Sequence, residues 1–309
     1  MKKKMSNFRI LLLLLAISFV GLSESASAQN AAASRKPPKP VKNNSAILYH
    51  GGPLLVGTSD VYFIWYGCWD ATCGASGDTA TQTILTDFIQ NVGGSPYFQI
   101  NATYANSNGF TPSGGLLFGG SVVDNYSHGM ELTPTDLQGI VADKITSLEL
   151  PQDPLGIYVV LASADVSSPT TGFCDPSARP YHGLGEAIGV NFPYAFVGNP
   201  LRCPTIEASQ FFSKKGTPLP TPNGNLAADA MATTIAHLLD EVVTNPYGSG
   251  WFDKYGLENA DKCDGEFGTT YLTATGARAN LRLGLRDYLI PENWVNDGKG
   301  RCAMNQSQQ

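Results

Sequence analysis

The chain has 309 residues, a formal net charge of −6 and only 15% charged residues, with 33 Gly and 20 Pro. An acidic chain without a basic cluster in its mature part argues against nucleic acid as a partner, and sparse charge with abundant Gly and Pro suits a rigid, loop-rich extracellular domain. The length allows one large domain or two small ones.

The N-terminus carries an export signal. Lys2, Lys3, Lys4 and Arg9 precede the apolar run Ile10 to Leu22, and Ala26-Ser27-Ala28 fits the small-residue cleavage rule. Residues 1–28 are therefore expected to be removed, which leaves a formal charge of about −9. No later stretch reaches the ~20 apolar residues that a membrane span needs. Residues 29–45, with Pro37, Pro38 and Pro40, read as a flexible leader. A folded domain is expected over 46–304, with a short tail at 305–309. The cysteines are Cys68, Cys73, Cys174, Cys203, Cys263 and Cys302. An even number in an exported chain implies disulfides, and pairing neighbours in order gives Cys68–Cys73, Cys174–Cys203 and Cys263–Cys302.

Along the domain, Val61 to Gly67 is a β-branched and aromatic run, as in a strand buried on both faces. Ile84, Leu85, Phe88, Ile89 and Val92 recur at helical spacing within 79–92. Tyr97 to Asn106 reads as strand. Leu116 to Phe118 and Ser121 to Val123 read as strand after a Gly-rich turn. A second helix starts at a Thr133 cap with Pro134 in its first turn. Gly156 to Val166 is the strongest buried-strand candidate, and Phe192 to Gly198 is another. Strand, helix and strand in succession predict a single α/β domain with a mixed sheet and packed helices.

The stretch 225–268 carries the chemistry. Its first half reads as a helix, and its second half as a Gly-, Asp- and aromatic-rich loop closed by Cys263. On the helix, His237 and Glu241 are four residues apart, so both project from one face. An imidazole and a carboxylate so placed can hold a metal ion with a third ligand from the loop. They can equally form a plain hydrogen-bonded pair, and the sequence leaves both readings open. Leu238 stands where a zinc peptidase carries its general-base Glu, and Asp240 is a weak candidate for a displaced base. Asp165, at a strand end, can face a ligand crevice or cap the next turn. His50, His128 and His182 read as loop or turn residues. Trp65, Tyr66, Trp69, Trp251 and Trp294 can stack on sugars or fill a core. Asn43, Asn101, Asn125 and Asn305 lie in N-x-S/T sequons.

Several strings resemble the exordium, or phosphate-induced protein 1, family. They include LYHGGPLLVG from Leu48, FIWYG from Phe63, DNYSHGMELT from Asp124, VVLASADV from Val159, FVGNPLRCP from Phe196, TNPYGSGWF from Thr244 and RDYLIP from Arg286. The resemblance implies a secreted protein of the cell wall or apoplast, linked in plants to growth, acting through a protein or polysaccharide partner and without catalysis. The chain departs from the plant pattern at Cys68 to Cys73, which looks like an insertion, and at His237 and Glu241. The segment from Ala236 to Cys263 is instead similar to a pattern of bacterial secreted zinc peptidases. That similarity implies Zn2+ on His237, Glu241 and Asp261, with Glu258 as the alternative third ligand, and a zincin-like arrangement. The competing function is then a zinc-dependent metallopeptidase relative, active or degenerate. Without zinc there is no expected cofactor.

Overall fold

The computed structural model describes residues 45–70, 72 and 77–307. The expected signal peptide, the leader up to residue 44, and Cys73 lie outside the described residues.

The centre is a mixed sheet of β1 (Ser59–Tyr66), β2 (Leu116–Asp124), β3 (Ile157–Ala162), β4 (Tyr181–Ala187) and β5 (Val190–Val197), in the order β2-β1-β3-β5-β4. The first four strands in that order are parallel, and β4 closes one edge antiparallel to β5. Parallel neighbours need crossover helices. Two of them are α1 (Thr79–Val92) and α2 (Pro134–Thr146); the long helix α3 (Leu226–Thr244) follows the sheet.

Alternation along β1 decides the layers. Val61, Phe63 and Trp65 face one core with Ile84, Leu85 and Phe88 of α1 and Met231, Ile235 and Leu239 of α3. Tyr62, Ile64 and Tyr66 face the other core with Leu137, Ile140 and Val141 of α2. Both faces of β1 are thus buried, which is why it reads as an unbroken apolar run.

Local chemistry sets the helix starts. Asp78 caps α1 by accepting from Thr81 N, and Thr133 and Asp136 form a reciprocal capping box on α2. The Asn225 side chain caps α3 by accepting from Ala228 N. This helix is buried almost all round, so its polar residues must find partners inside the protein.

Two sequence expectations need correction. Phe98–Thr103 is a 3-10 helix and not a strand. Ser95 Oγ accepts from Phe98 N at 3.2 Å, a local bond that starts a turn. The segment around His182 is β4 and not a loop. It joins β5 through Ile188-Gly189, both at positive φ (51° and 73°), as a two-residue hairpin turn requires. The strand expected through 116–118 and 121–123 is present as β2, with a register shift where Val61 and Tyr62 oppose Phe118 and Gly120.

Beyond α3 the chain runs through short hairpins, among them Leu281–Leu283 with Arg286–Tyr288 and Asn293–Val295 with Arg301–Ala303. Disulfides join Cys174 to Cys203 and Cys263 to Cys302. Cys68 is also disulfide-bonded. No helix among the described residues is long and apolar enough to cross a membrane.

Candidate metal centre

Helix α3 delivers His237 and Glu241, which are 2% and 3% exposed. Their spacing is the i, i+4 relation read from the sequence, and His237 Nε2 lies 2.9 Å from Glu241 Oε1. Asp261 comes from the 3-10 turn Asp261–Cys263, with Oδ1 3.6 Å from His237 Nε2. The three donor atoms lie within 4.8 Å of one another.

The loop that brings Asp261 is held from several sides. The Cys263–Cys302 disulfide ties its end to the last hairpin. Asp253 accepts from Tyr255 N and Leu257 N and pairs with Lys262 Nζ at 3.2 Å. At the end of α3, Asn245 N donates to Glu241 O, and Asn245 Oδ1 accepts from Gly250 N at 2.6 Å. A side chain at Gly250 would meet Thr244 O at 2.3 Å, so this turn excludes any Cβ. Asn245 Nδ2 donates to Glu258 Oε1. An ionised Asp at position 245 could not make that bond.

A second set adjoins the first. His182, on the edge strand β4, has Nε2 2.9 Å from Glu258 Oε2 and 4.0 Å from Glu241 Oε2. His182, Glu241 and Glu258 again place one donor each within 4.8 Å. Glu258, considered in the sequence as an alternative to Asp261, thus belongs with His182, while Asp261 lies with His237. Sequence reasoning missed His182 as part of this group.

Short separations here are not all hydrogen bonds. His237 Nε2, Glu241 Oε1 and Asp261 Oδ1 are buried and make no hydrogen bond of good geometry. Arg179 Nε lies 2.8 Å from the same Asp261 Oδ1 and forms an ion pair with it. Asp261 Oδ2 does accept from Glu258 N, at 3.1 Å. Buried polar atoms of native proteins are normally paired. Three donor atoms this close together and outside any hydrogen bond are a set that can hold a cation.

The electrostatics follow from crowding and burial. Desolvation opposes the charged form of His237, but the Glu241 charge and the contacts with Asp261 outweigh it and hold its pKa well above the ordinary imidazole value. Desolvation pushes Glu241 up to about 8, reinforced by Asp261 and Glu258 and opposed by His237. For His182, desolvation is again outweighed, by Glu258 and Glu241, and its pKa is raised. The group therefore holds extra protons where no cation neutralises it.

The remaining candidates fall elsewhere. Asp240 is fully buried, with Oδ2 accepting from Tyr97 Oη at 2.6 Å and Oδ1 from Asn101 Nδ2 at 2.7 Å. Asn101 Oδ1 in turn accepts from Asn259 Nδ2 and Asn293 Nδ2, both at 3.1 Å. Both oxygens of Asp240 are thus spent on a structural network. Asn101 is itself 0% exposed, so its sequon is out of reach in the folded chain. Asp165 accepts from Ser163 Oγ and Tyr126 Oη, a local role. His128 faces Asp143 and Asp136, and His50 stacks on Phe252. Trp65, Tyr66 and Trp69 are core residues, so they offer no face to a sugar.

A surface cleft of ≈ 390 Å³ opens onto His237 and is also lined by Glu207, Thr234, Phe267 and Pro291.

Comparison with known proteins places this architecture. The model of the phosphate-induced protein 1 conserved region matches residues 47–282. The chain belongs to the phosphate-induced protein 1 family. It is similar to Protein EXORDIUM-like 3 of Arabidopsis thaliana, 30% identical over 277 residues that cover 80% of this chain and 79% of the relative. It is similar to Protein EXORDIUM of the same plant, at 29% over 253 residues, 71% and 73% of the two chains. Protein PHOSPHATE-INDUCED 1 of Nicotiana tabacum is 28% identical over 247 residues, 72% and 74% of the two chains. No solved structure matches significantly. Within the family-matched span lie His182, His237, Glu241, Glu258 and Asp261, so the centre is part of the family domain of this chain.

Proposed function

We propose that this family member is secreted and acts outside the cell as a non-hydrolytic binding protein built around one divalent metal ion, zinc by donor type, on His237, Glu241 and Asp261. The carrying observation is that three buried donor atoms from those residues, all outside any hydrogen bond, lie within 4.8 Å of one another. One imidazole and two carboxylates form a donor set suited to zinc. The cleft leading to His237 is the proposed contact surface for an extracellular protein or a cell-wall polysaccharide, through which the growth-linked role implied by the family operates.

The hydrolase alternative is weaker on chemical grounds. Zinc peptidases activate water with a carboxylate next to the first His ligand. Here that position is Leu238, 1% exposed and part of the main core. Asp240 is occupied by Tyr97 and Asn101.

Metal analysis of protein purified from the secreted fraction tests the proposal. Stoichiometric zinc that is lost in His237→Ala, with no peptidase activity in either protein, is expected. A folded wild-type protein that takes up no zinc contradicts it.

A further inference from the structure

The two oxygens of Glu241 face different imidazoles. Oε1 lies 2.9 Å from His237 Nε2, and Oε2 lies 4.0 Å from His182 Nε2. A carboxylate that turns one oxygen to each of two separate imidazoles has the form of a bridging ligand. Each imidazole also has a carboxylate of its own: Asp261 Oδ1 is 3.6 Å from His237 Nε2, and Glu258 Oε2 is 2.9 Å from His182 Nε2.

These separations suit ligand shells. With zinc–nitrogen and zinc–oxygen bonds of about 2.0–2.2 Å, neighbouring tetrahedral ligands lie about 3.3–3.6 Å apart. The observed separations of 2.9, 3.6 and 4.0 Å bracket that value. Buried atoms of Glu241, His237 and Asp261 that make no hydrogen bond point to a ligand and not merely to a cluster of charges. Three separate elements supply the donors: His237 and Glu241 from α3, His182 from β4, and Glu258 and Asp261 from the loop after α3.

We propose that the centre holds a pair of divalent cations bridged by Glu241, one on His237, Glu241 and Asp261 and the other on His182, Glu241 and Glu258. This rests on the single-ion reading above and extends it with a second subsite. Bridged metal pairs commonly stand about 3.5–4 Å apart. Binding at the second subsite replaces the His182–Glu258 hydrogen bond with two bonds to the metal, while Asn245 keeps its bond to Glu258 Oε1.

The test is zinc stoichiometry after chelation and reloading of the full secreted chain. Measurements are made on the wild type and on His182→Ala, Glu258→Gln, His237→Ala and Glu241→Gln, with circular dichroism to verify folding. Expected are two zinc per wild-type chain, one in His182→Ala and in Glu258→Gln, and at most one in His237→Ala. Glu241→Gln, which disturbs both shells, is expected to weaken both sites by 10-fold or more. Glu258→Gln keeps the size of the side chain, so it remains informative if His182→Ala fails to fold. One zinc in the wild type, unchanged in His182→Ala and Glu258→Gln but lost in His237→Ala, overturns the second subsite and leaves the single-ion reading standing. No zinc in the folded wild type overturns both.

Discussion

Asp240 and Glu241 are neighbours on α3, both buried, yet they are built for different purposes. Asp240 has a hydrogen-bond donor on each oxygen, from Tyr97 and Asn101. Glu241 has a buried oxygen with none, although an imidazole and a second carboxylate crowd around it. Paired polar groups in an interior fix a unique packing. Unpaired ones cost free energy, so they persist where something outside the chain completes them. The contrast separates the framework of this helix from its proposed metal centre.

Removing the framework side should have the largest effect. Asp240→Ala leaves Tyr97 Oη and Asn101 Nδ2 facing a cavity, and the loss is expected at about 1–3 kcal/mol for each donor so stranded. Urea unfolding measures it. A loss under about 1 kcal/mol would erase the distinction drawn between the two neighbours.

Acidity provides a second contrast. Burial first of all raises the Asp240 pKa from 3.8 to about 7, despite hydrogen bonds from Tyr97 and Asn101 that lower it. The unfolded chain releases this proton near pH 4 and the folded chain near pH 7. Unfolding free energy from this group is therefore highest below about pH 4 and falls as pH rises to about 7, by on the order of a few kcal/mol. In metal-free protein, Asp240→Asn should flatten that part of the stability curve. Identical slopes for variant and wild type would show that Asp240 does not titrate in this window.

The disulfide beside Asp261 closes a 39-residue separation. Replacing Cys263 and Cys302 by Ser is expected to lower stability by about 2–4 kcal/mol and to weaken zinc binding, because the loop then positions Asp261 less well. Unchanged zinc affinity would mean that the Asp253 and Lys262 contacts suffice to hold the loop.

The smallest effect concerns the strand that supplies His182. Ile188 stands at φ 51° in the β4–β5 turn, a conformation that β-branched residues avoid. Ile188→Asn should raise the melting temperature slightly, corresponding to roughly 1 kcal/mol, without altering zinc uptake. A fall in stability would mean that Ile188, 63% exposed, makes a contact worth more than its strain.

The same turn explains what the sequence concealed. Hairpins advertise themselves by Asn-Gly or Asp-Gly, and here an Ile fills the first position. The strand before it, with two Gly and a His, presents no apolar alternation, so His182 read as a loop residue. By contrast, α1 and α3 were legible from 3.6-residue spacing, α2 from its Thr133 cap as well, and β1 and β3 from unbroken apolar runs. The His237–Glu241 pair was legible because helical spacing alone places the two together. Asp240 looked like a spare base because nothing in its neighbourhood in sequence reveals Tyr97 or Asn101, which lie 143 and 139 residues away. Phe98–Thr103 misled for a similar reason: its aromatic and β-branched residues suit a strand, and Ser95 starts a turn instead.

The most direct measurement is the thermal unfolding of chelator-treated protein with and without zinc, for the wild type and Glu241→Gln. A ligand at 100 times its dissociation constant stabilises the folded state by about 2.7 kcal/mol. The account predicts a clear rise in melting temperature with zinc for the wild type and little or none for Glu241→Gln. It also predicts that Glu241→Gln without zinc is at least as stable as the wild type, because a buried acid with an unpartnered oxygen has been replaced by an amide. A wild-type melting temperature indifferent to zinc, together with a destabilised metal-free Glu241→Gln, would contradict it and make this carboxylate part of the framework, like its neighbour.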